Sequence, residues 1–327
     1  MLAALLSGAA ACGADPSPDL GPRESYLAPP GAALAPGLVV PVGTQRIGPV
    51  FAEGRHEAGA LYGASARVTS HEAVLQVEGD PFAAWDDLAG QARDIGARIP
   101  GSGICSWRLT SVPPGMEVIP NVDTPVAMPR PELADTLDCE AVARGQRPDG
   151  SFVIVDMRLW WSAAGASLRI EISHGDVSEV DIPQGYGAKS ELAASYPETD
   201  PGVAPSSAGG QLPKREAPPS IDAGEPFGGE TDCFETRYDR LTVPAGSRFV
   251  GGGLSRSVLA VEDPEAVLRD LRDQFDDPDD TNGHFDLGEE RLDDGTLVRT
   301  LSVYVDAGGG ACEMRSSPDG TAVLVSA

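Results

Sequence analysis

Lysine is almost missing from this chain: Lys189 and Lys214 stand among 24 basic residues, against 50 Asp and Glu. The net charge of −26, with no basic stripe anywhere, excludes a nucleic-acid binder, because the phosphate backbone would be repelled. A polybasic membrane patch is excluded for the same reason. No CxxC pair occurs, which argues against a paired-thiolate metal site. Histidine is scarce, at His56, His71, His174 and His284. His56-Glu57 and His71-Glu72 open the zinc-protease pattern, but no second histidine follows at the required spacing. There is no GxSxG elbow, and GYGAKS at Gly185–Ser190 has Ala188 where a phosphate loop needs glycine. The shortage of lysine beside abundant Ala, Gly, Pro and Asp reads as the coding bias of a high-GC genome.

What the chain does have is repetition. Its 327 residues suffice for two domains, and 29 Pro with 39 Gly point to long irregular connections. LVVPVGTQRIG at Leu38–Gly48 matches LTVPAGSRFVG at Leu241–Gly251 without a gap, and VLQVE at Val74–Glu78 matches VLAVE at Val258–Glu262. Asp80-Pro81 and Asp263-Pro264 then open helices, since Asp caps an orphan N–H and Pro at the first helical position loses no bond. Trp85, Leu88 and Ala92 share one helix face, as do Leu268, Leu271 and Phe275, so Trp85 is a core residue. Period-two alternation marks SFVIVDMRLWW after Gly150 and TLVRTLSVYV after Gly295 as equivalent strands, with partners at Ala166–Ser173 and Ala311–Ser316 and a last strand at Thr321–Ser326.

The fold class expected is therefore α+β: a tandem duplication of a strand–helix–antiparallel-strands module, each a sheet covered by one helix. Insertions fall at Phe51–His71 and in the Pro-rich stretch around Cys105–Cys139 of the first copy. The organisation reads as a signal peptide over 1–12, a flexible tether over 13–36, a first module over 37–175, a linker over 176–232 and a second module over 233–327.

MLAALLSGAAAC runs apolar and small up to Cys12 and then turns polar, as a secretory signal does near its cleavage site. A cysteine after Ala9-Ala10-Ala11 resembles the lipobox of bacterial lipoproteins. The resemblance implies removal of the leader, acylation of Cys12 and an extracytoplasmic protein on the membrane. It departs from the pattern in two places: no Lys or Arg precedes the apolar run, and Ala9 stands where Leu is usual. With Cys12 set aside, Cys105, Cys139, Cys233 and Cys312 remain, and an oxidising compartment makes disulfides the default for such a set. Three pairings are open, or none if the four stay buried thiols. Cys105–Cys139 with Cys233–Cys312 is the pairing that does not cross between modules.

Two candidate sites stand out. In FDDPDDTNGHFDLGEE, placing Gly283 at the sharp turn of a calcium loop puts Asp280, Asn282 and Glu289 at ligand positions, although Pro278 occupies the first. In the second, Trp160 and Trp161 point to opposite faces of a strand, so that Trp160 beside Arg158 offers a face for a sugar or peptide. No catalytic residue and no cofactor is read. A non-enzymatic, lipid-anchored binding or structural protein of the cell envelope is expected, ahead of a calcium- or glycan-binding accessory protein and an exported hydrolase.

Overall fold

The computed structural model describes residues 20–59, 65–97, 104–108, 136–146, 151–162, 165–176, 221, 223–227, 241–253, 256–275, 283–305 and 311–326. A 3-10 turn at Arg23–Tyr26 leads into β1 (Leu27–Ala28), β2 (Ala33–Ala35), β3 (Leu38–Val39), β4 (Thr44–Gly59) and β5 (Ser65–Val77). Then come α1 (Pro81–Asp94), β6 (Ile104–Arg108), β7 (Thr136–Gln146), β8 (Ser151–Ser162) and β9 (Gly165–Asp176). The second half holds β10 (Ser247–Gly253), β11 (Arg256–Val261), α2 (Pro264–Phe275), β12 (Gly283–Arg291), β13 (Leu297–Val305), β14 (Ala311–Ser316) and β15 (Ala322–Ser326). The described chain is α+β and mostly sheet, with antiparallel ladders throughout.

Local chemistry sets the starts of these elements. Gly43 and Gly246 sit at φ 79° and 74°, where a side chain would be strained, and each turns the chain out of a Pro-containing stretch. Behind them Thr44 Oγ1 donates to Pro41 O at 2.9 Å, and Ser247 Oγ donates to Pro244 O at 2.8 Å. Asp80 Oδ1 accepts from Phe82 N at 3.0 Å, and Asp263 Oδ1 accepts from Glu265 N at the same distance, so both helices carry the expected cap. Farther along each helix, Gln91 Oε1 accepts from Val39 N at 2.7 Å and Gln274 Oε1 from Thr242 N at 2.8 Å. Each helix is thereby pinned to the strand that precedes its sheet.

The sheets run β1-β4-β5-β9-β8-β7-β6 and β10-β11-β15-β14-β13-β12. Counted from β4 and from β10, both follow one path: first, second, sixth, fifth, fourth, third. This order corrects the strand equivalence read from the sequence. SFVIVDMRLWW (β8) occupies the place of Ala311–Ser316 (β14), not of Leu297–Val305 (β13). The reason is the pair β6 and β7, which lies inside what looked like an insertion and supplies the two strands before β8. Of the extra residues at Phe51–His71, those at 51–59 and 65–71 likewise form strand, lengthening β4 and β5.

Three apolar clusters define the layers. Trp85, Leu88 and Ala92 of α1 pack with Leu75, Met157, Leu168 and Ile170. Leu268, Leu271 and Phe275 of α2 pack with Leu259, Leu301, Met314 and Val323. Between the sheets, Ile47, Phe51 and Val74 meet Val250, Val258, Ala260, Ala322 and Leu324. The layers therefore run α1, first sheet, second sheet, α2. Each buried Val, Leu, Ile, Phe or Met among them contributes about 1.5–3 kcal/mol of transfer free energy.

Two segments whose composition reads as tether and linker hold secondary structure among the described residues. The segment 13–36, expected to be a tether, is folded from Leu20 onward: Arg23 Nε donates to Val250 O at 2.7 Å and Arg23 Nη2 to Gln76 Oε1 at 2.5 Å. Arg248 returns a bond to Gly21 O, so this strap holds both sheets. In the segment 176–232, Asp176 closes β9, Ile221 bridges to Phe249, and Pro226 bridges to Thr242. Phe227, 2% exposed, anchors that piece as Leu34, also 2% exposed, anchors the first. One apolar anchor and two or three backbone bonds accompany each described piece, 20–36 and 221 with 223–227, of segments whose composition reads as tether or linker.

Candidate functional site: a charged cavity between the sheets

The strand period of two decides what lines the seam. On β5, Leu75 and Val77 face α1, while Ser70, Glu72 and Val74 face the second sheet. On β9, Leu168 and Ile170 face α1, and Arg169 with Glu171 face the seam. Glu72 and Glu171 stand directly opposite in the ladder. From the other sheet come Arg256 on β11, Glu313 and Arg315 on β14, and Ser326 on β15; Glu53 of β4 completes the wall. These groups surround a cavity of about 140 Å³.

Arg256 Nε lies 2.6 Å and Arg169 Nε 2.7 Å from the same oxygen of Glu72. Arg169 also pairs with Glu171, and its Nη1 is 3.7 Å from Asp156. Arg315 pairs with Glu313, and its Nη1 lies 3.3 Å from Glu53. Burial alone would raise the Glu72 carboxyl, but Arg256 and Arg169 outweigh it and hold its pKa at about 2. Burial pushes Glu171 upward against the pull of Arg169, and Glu72, Asp156 and Glu53 add to the rise. Burial also works against the charge on Arg169, yet its carboxylate neighbours raise it above the usual arginine value.

This arrangement suits holding better than turnover. A carboxylate clamped ionised by two guanidinium groups neither takes nor gives a proton near neutral pH. The cavity is also smaller than the roughly 300–1,000 Å³ of ordinary ligand pockets. Among the described residues, no group of three or more His, Cys, Asp or Glu is placed to hold a metal ion.

The residues singled out from the sequence are dispersed. Cys12, Cys233, Asp280 and Asn282 lie outside the described residues. Glu289 is on β12, where it faces Arg299 in register and pairs with it at 3.1 Å. Gly283 opens an extended strand that carries Glu289 about 20 Å away from it. Trp160 is 8% exposed, so its ring presents no open platform, and Arg158 beside it is half-buried. Trp161 lies in the core between α1 and the first sheet, in one cluster with Trp85 of α1. Cys105 and Cys139 face each other directly across β6 and β7. His71 and His174, far apart in sequence, bring their rings to 6.3 Å.

The charged seam was missed because R-I-E at Arg169–Glu171 and E-M-R at Glu313–Arg315 alternate charge with core residues. That is the ordinary mark of a sheet with one face in water. Only a second sheet turns the wet face into an interior.

No helix among the described residues is long and apolar enough to cross a membrane. No family model, curated protein or solved structure matches this chain.

Proposed function

We propose that this is an extracytoplasmic, lipid-anchored protein with a non-enzymatic binding or structural role at the cell envelope. In this reading it is a tandem duplication of one α+β repeat whose copies close on each other face to face. The observation that carries the non-enzymatic part is the seam. The inner faces of the two sheets are spent on each other, through an apolar cluster and an ion network in which three arginines meet four glutamates, and the cavity left between them is small. An enzyme of this architecture would be expected to keep a deep pocket with free acid–base groups at such an interface.

Several paired observations support the duplication. The glutamine pins, helix caps and hydroxyl turns recur at matching positions. The match also extends upstream of the repeated sequence: Gly31 N donates to Val40 O at 2.9 Å, and Gly224 N donates to Val243 O at 2.8 Å. Support for two disulfides comes from the bonded state of Cys139 and Cys312 and from the register of Cys105 with Cys139. Directly opposed residues of an antiparallel pair lie about 4.5–5.5 Å apart at Cα, within the range a disulfide spans. Cys105–Cys139 and Cys233–Cys312 remain the pairing we propose.

Acylation at Cys12 would hold the body close to the bilayer, since the chain from Cys12 to Leu20 reaches at most about 30 Å when extended. Fractionation of the native host tests the anchor. The unaltered protein should sediment with membranes and be released by detergent, and Cys12→Ser should appear in the soluble fraction. An unaltered protein found soluble would overturn the proposal.

A further inference from the structure

We infer that the seam is a pseudo-two-fold contact made heterotypic by charge, so that the inner face of each repeat fits the other repeat and rejects a second copy of itself. The inference rests on the duplication proposed above. The matched VLQVE and VLAVE segments make Val74 equivalent to Val258, and two residues earlier on the same strands they make Glu72 equivalent to Arg256. The ladders agree, because Glu72 faces Glu171 on β9 while Arg256 faces Ser326 on β15, the strand in the matching place. These two equivalent residues touch each other across the seam at 2.6 Å. Ile47 and Val250, equivalent through the matched turn segments, both lie in the seam cluster, as do Val74 and Val258.

A contact in which a position meets its own counterpart is the signature of a two-fold axis. Two identical repeats placed on such an axis would set Glu against Glu or Arg against Arg. Here one copy carries the acid and the other the base. Arg169 sits beside Glu72 at 2.7 Å, while Leu324, the residue paired with Val258 as Arg169 is paired with Val74, takes its place in the second repeat. A first repeat meeting its own kind would thus bring two Glu72–Arg169–Glu171 groups together, each with one more acid than base, and a second repeat would oppose two Arg256 side chains. Like charges juxtaposed in a desolvated seam are an efficient way to reject the wrong partner.

The test is urea unfolding of the full chain, disulfides intact, for Glu72→Gln, Arg256→Gln, the double Glu72→Gln/Arg256→Gln, and Arg256→Glu. The double should lose less than the two singles added together. Arg256→Glu should lower the midpoint further than Arg256→Gln, because the introduced carboxylate faces Glu72; failure of Arg256→Glu to fold while Arg256→Gln folds counts as the same result. Additive singles, or an Arg256→Glu midpoint no lower than that of Arg256→Gln, would overturn the charge lock. Gln91→Ala and Gln274→Ala, measured alongside, separate the two ways of failing. If either loses no stability, the helix pin is not shared, the duplication falls and with it the equivalence of positions 72 and 256. If both lose stability and the charge variants fail, the duplication stands and the lock alone falls.

Discussion

Two guanidinium groups converge on one oxygen of Glu72, and the consequence is a definite pH dependence. The folded pKa of about 2 lies below the ordinary 4.5, so the carboxylate contributes stability that is fully present above about pH 5 and is lost as pH falls toward 2. Glu171 acts in the opposite sense: its pKa is raised in the folded state, so its ionisation opposes folding at neutral pH and acid relieves that cost. Glu72→Gln should therefore flatten the acid limb of stability between pH 5 and 2 by up to about 3 kcal/mol, at about 1.4 kcal/mol per pKa unit. Urea midpoints measured across that pH range check it. Gly145 makes a different kind of demand. A Cβ there would lie 1.8 Å from Gly96 O at the end of α1, so Gly145→Ala must push β7 and the helix end apart. A loss of about 1–3 kcal/mol is expected in thermal or urea unfolding.

Elements were legible where their causes are local. Asp80-Pro81 and Asp263-Pro264 announce helix starts because capping needs only the next few residues. Asp80→Ala and Asp263→Ala should each cost about 1 kcal/mol, measured by urea unfolding. Trp85 was legible from its spacing with Leu88, and Trp85→Ala should cost about 3–5 kcal/mol, since the ring is fully buried between α1 and the first sheet. The strands β6 and β7 were not legible, because one is short and both flank a Pro-rich stretch that dominates the composition there. The pieces at Ala33–Ala35 and Ile221–Phe227 were also missed, since each depends on bonds to a partner that no local pattern names. The calcium reading rests on ligand spacing in a turn; Glu289 lies in the strand Gly283–Arg291, and Asp280 and Asn282 lie outside the described residues.

At the scale of the whole molecule, the sequence announced two modules and was silent on their mutual placement. The face of each sheet that looked solvent-exposed is the face that meets the other sheet, and the candidate site exists only because of that meeting. The cysteines do not follow the repeat: Cys139 is on β7, whose counterpart by sheet order is β13, whereas Cys312 is on β14. On the proposed duplication and pairing, bridges placed differently in the two copies would be additions made after it, each stabilising by roughly 3–4 kcal/mol in the chain-entropy model. The central claim, an anchored and disulfide-bonded envelope protein, is tested most directly by the intact mass of the protein from its native host under non-reducing conditions. A chain beginning at Cys12, heavier by acyl groups and lighter by the four hydrogens of two disulfides, is the predicted result. An unprocessed chain with free thiols would contradict the account.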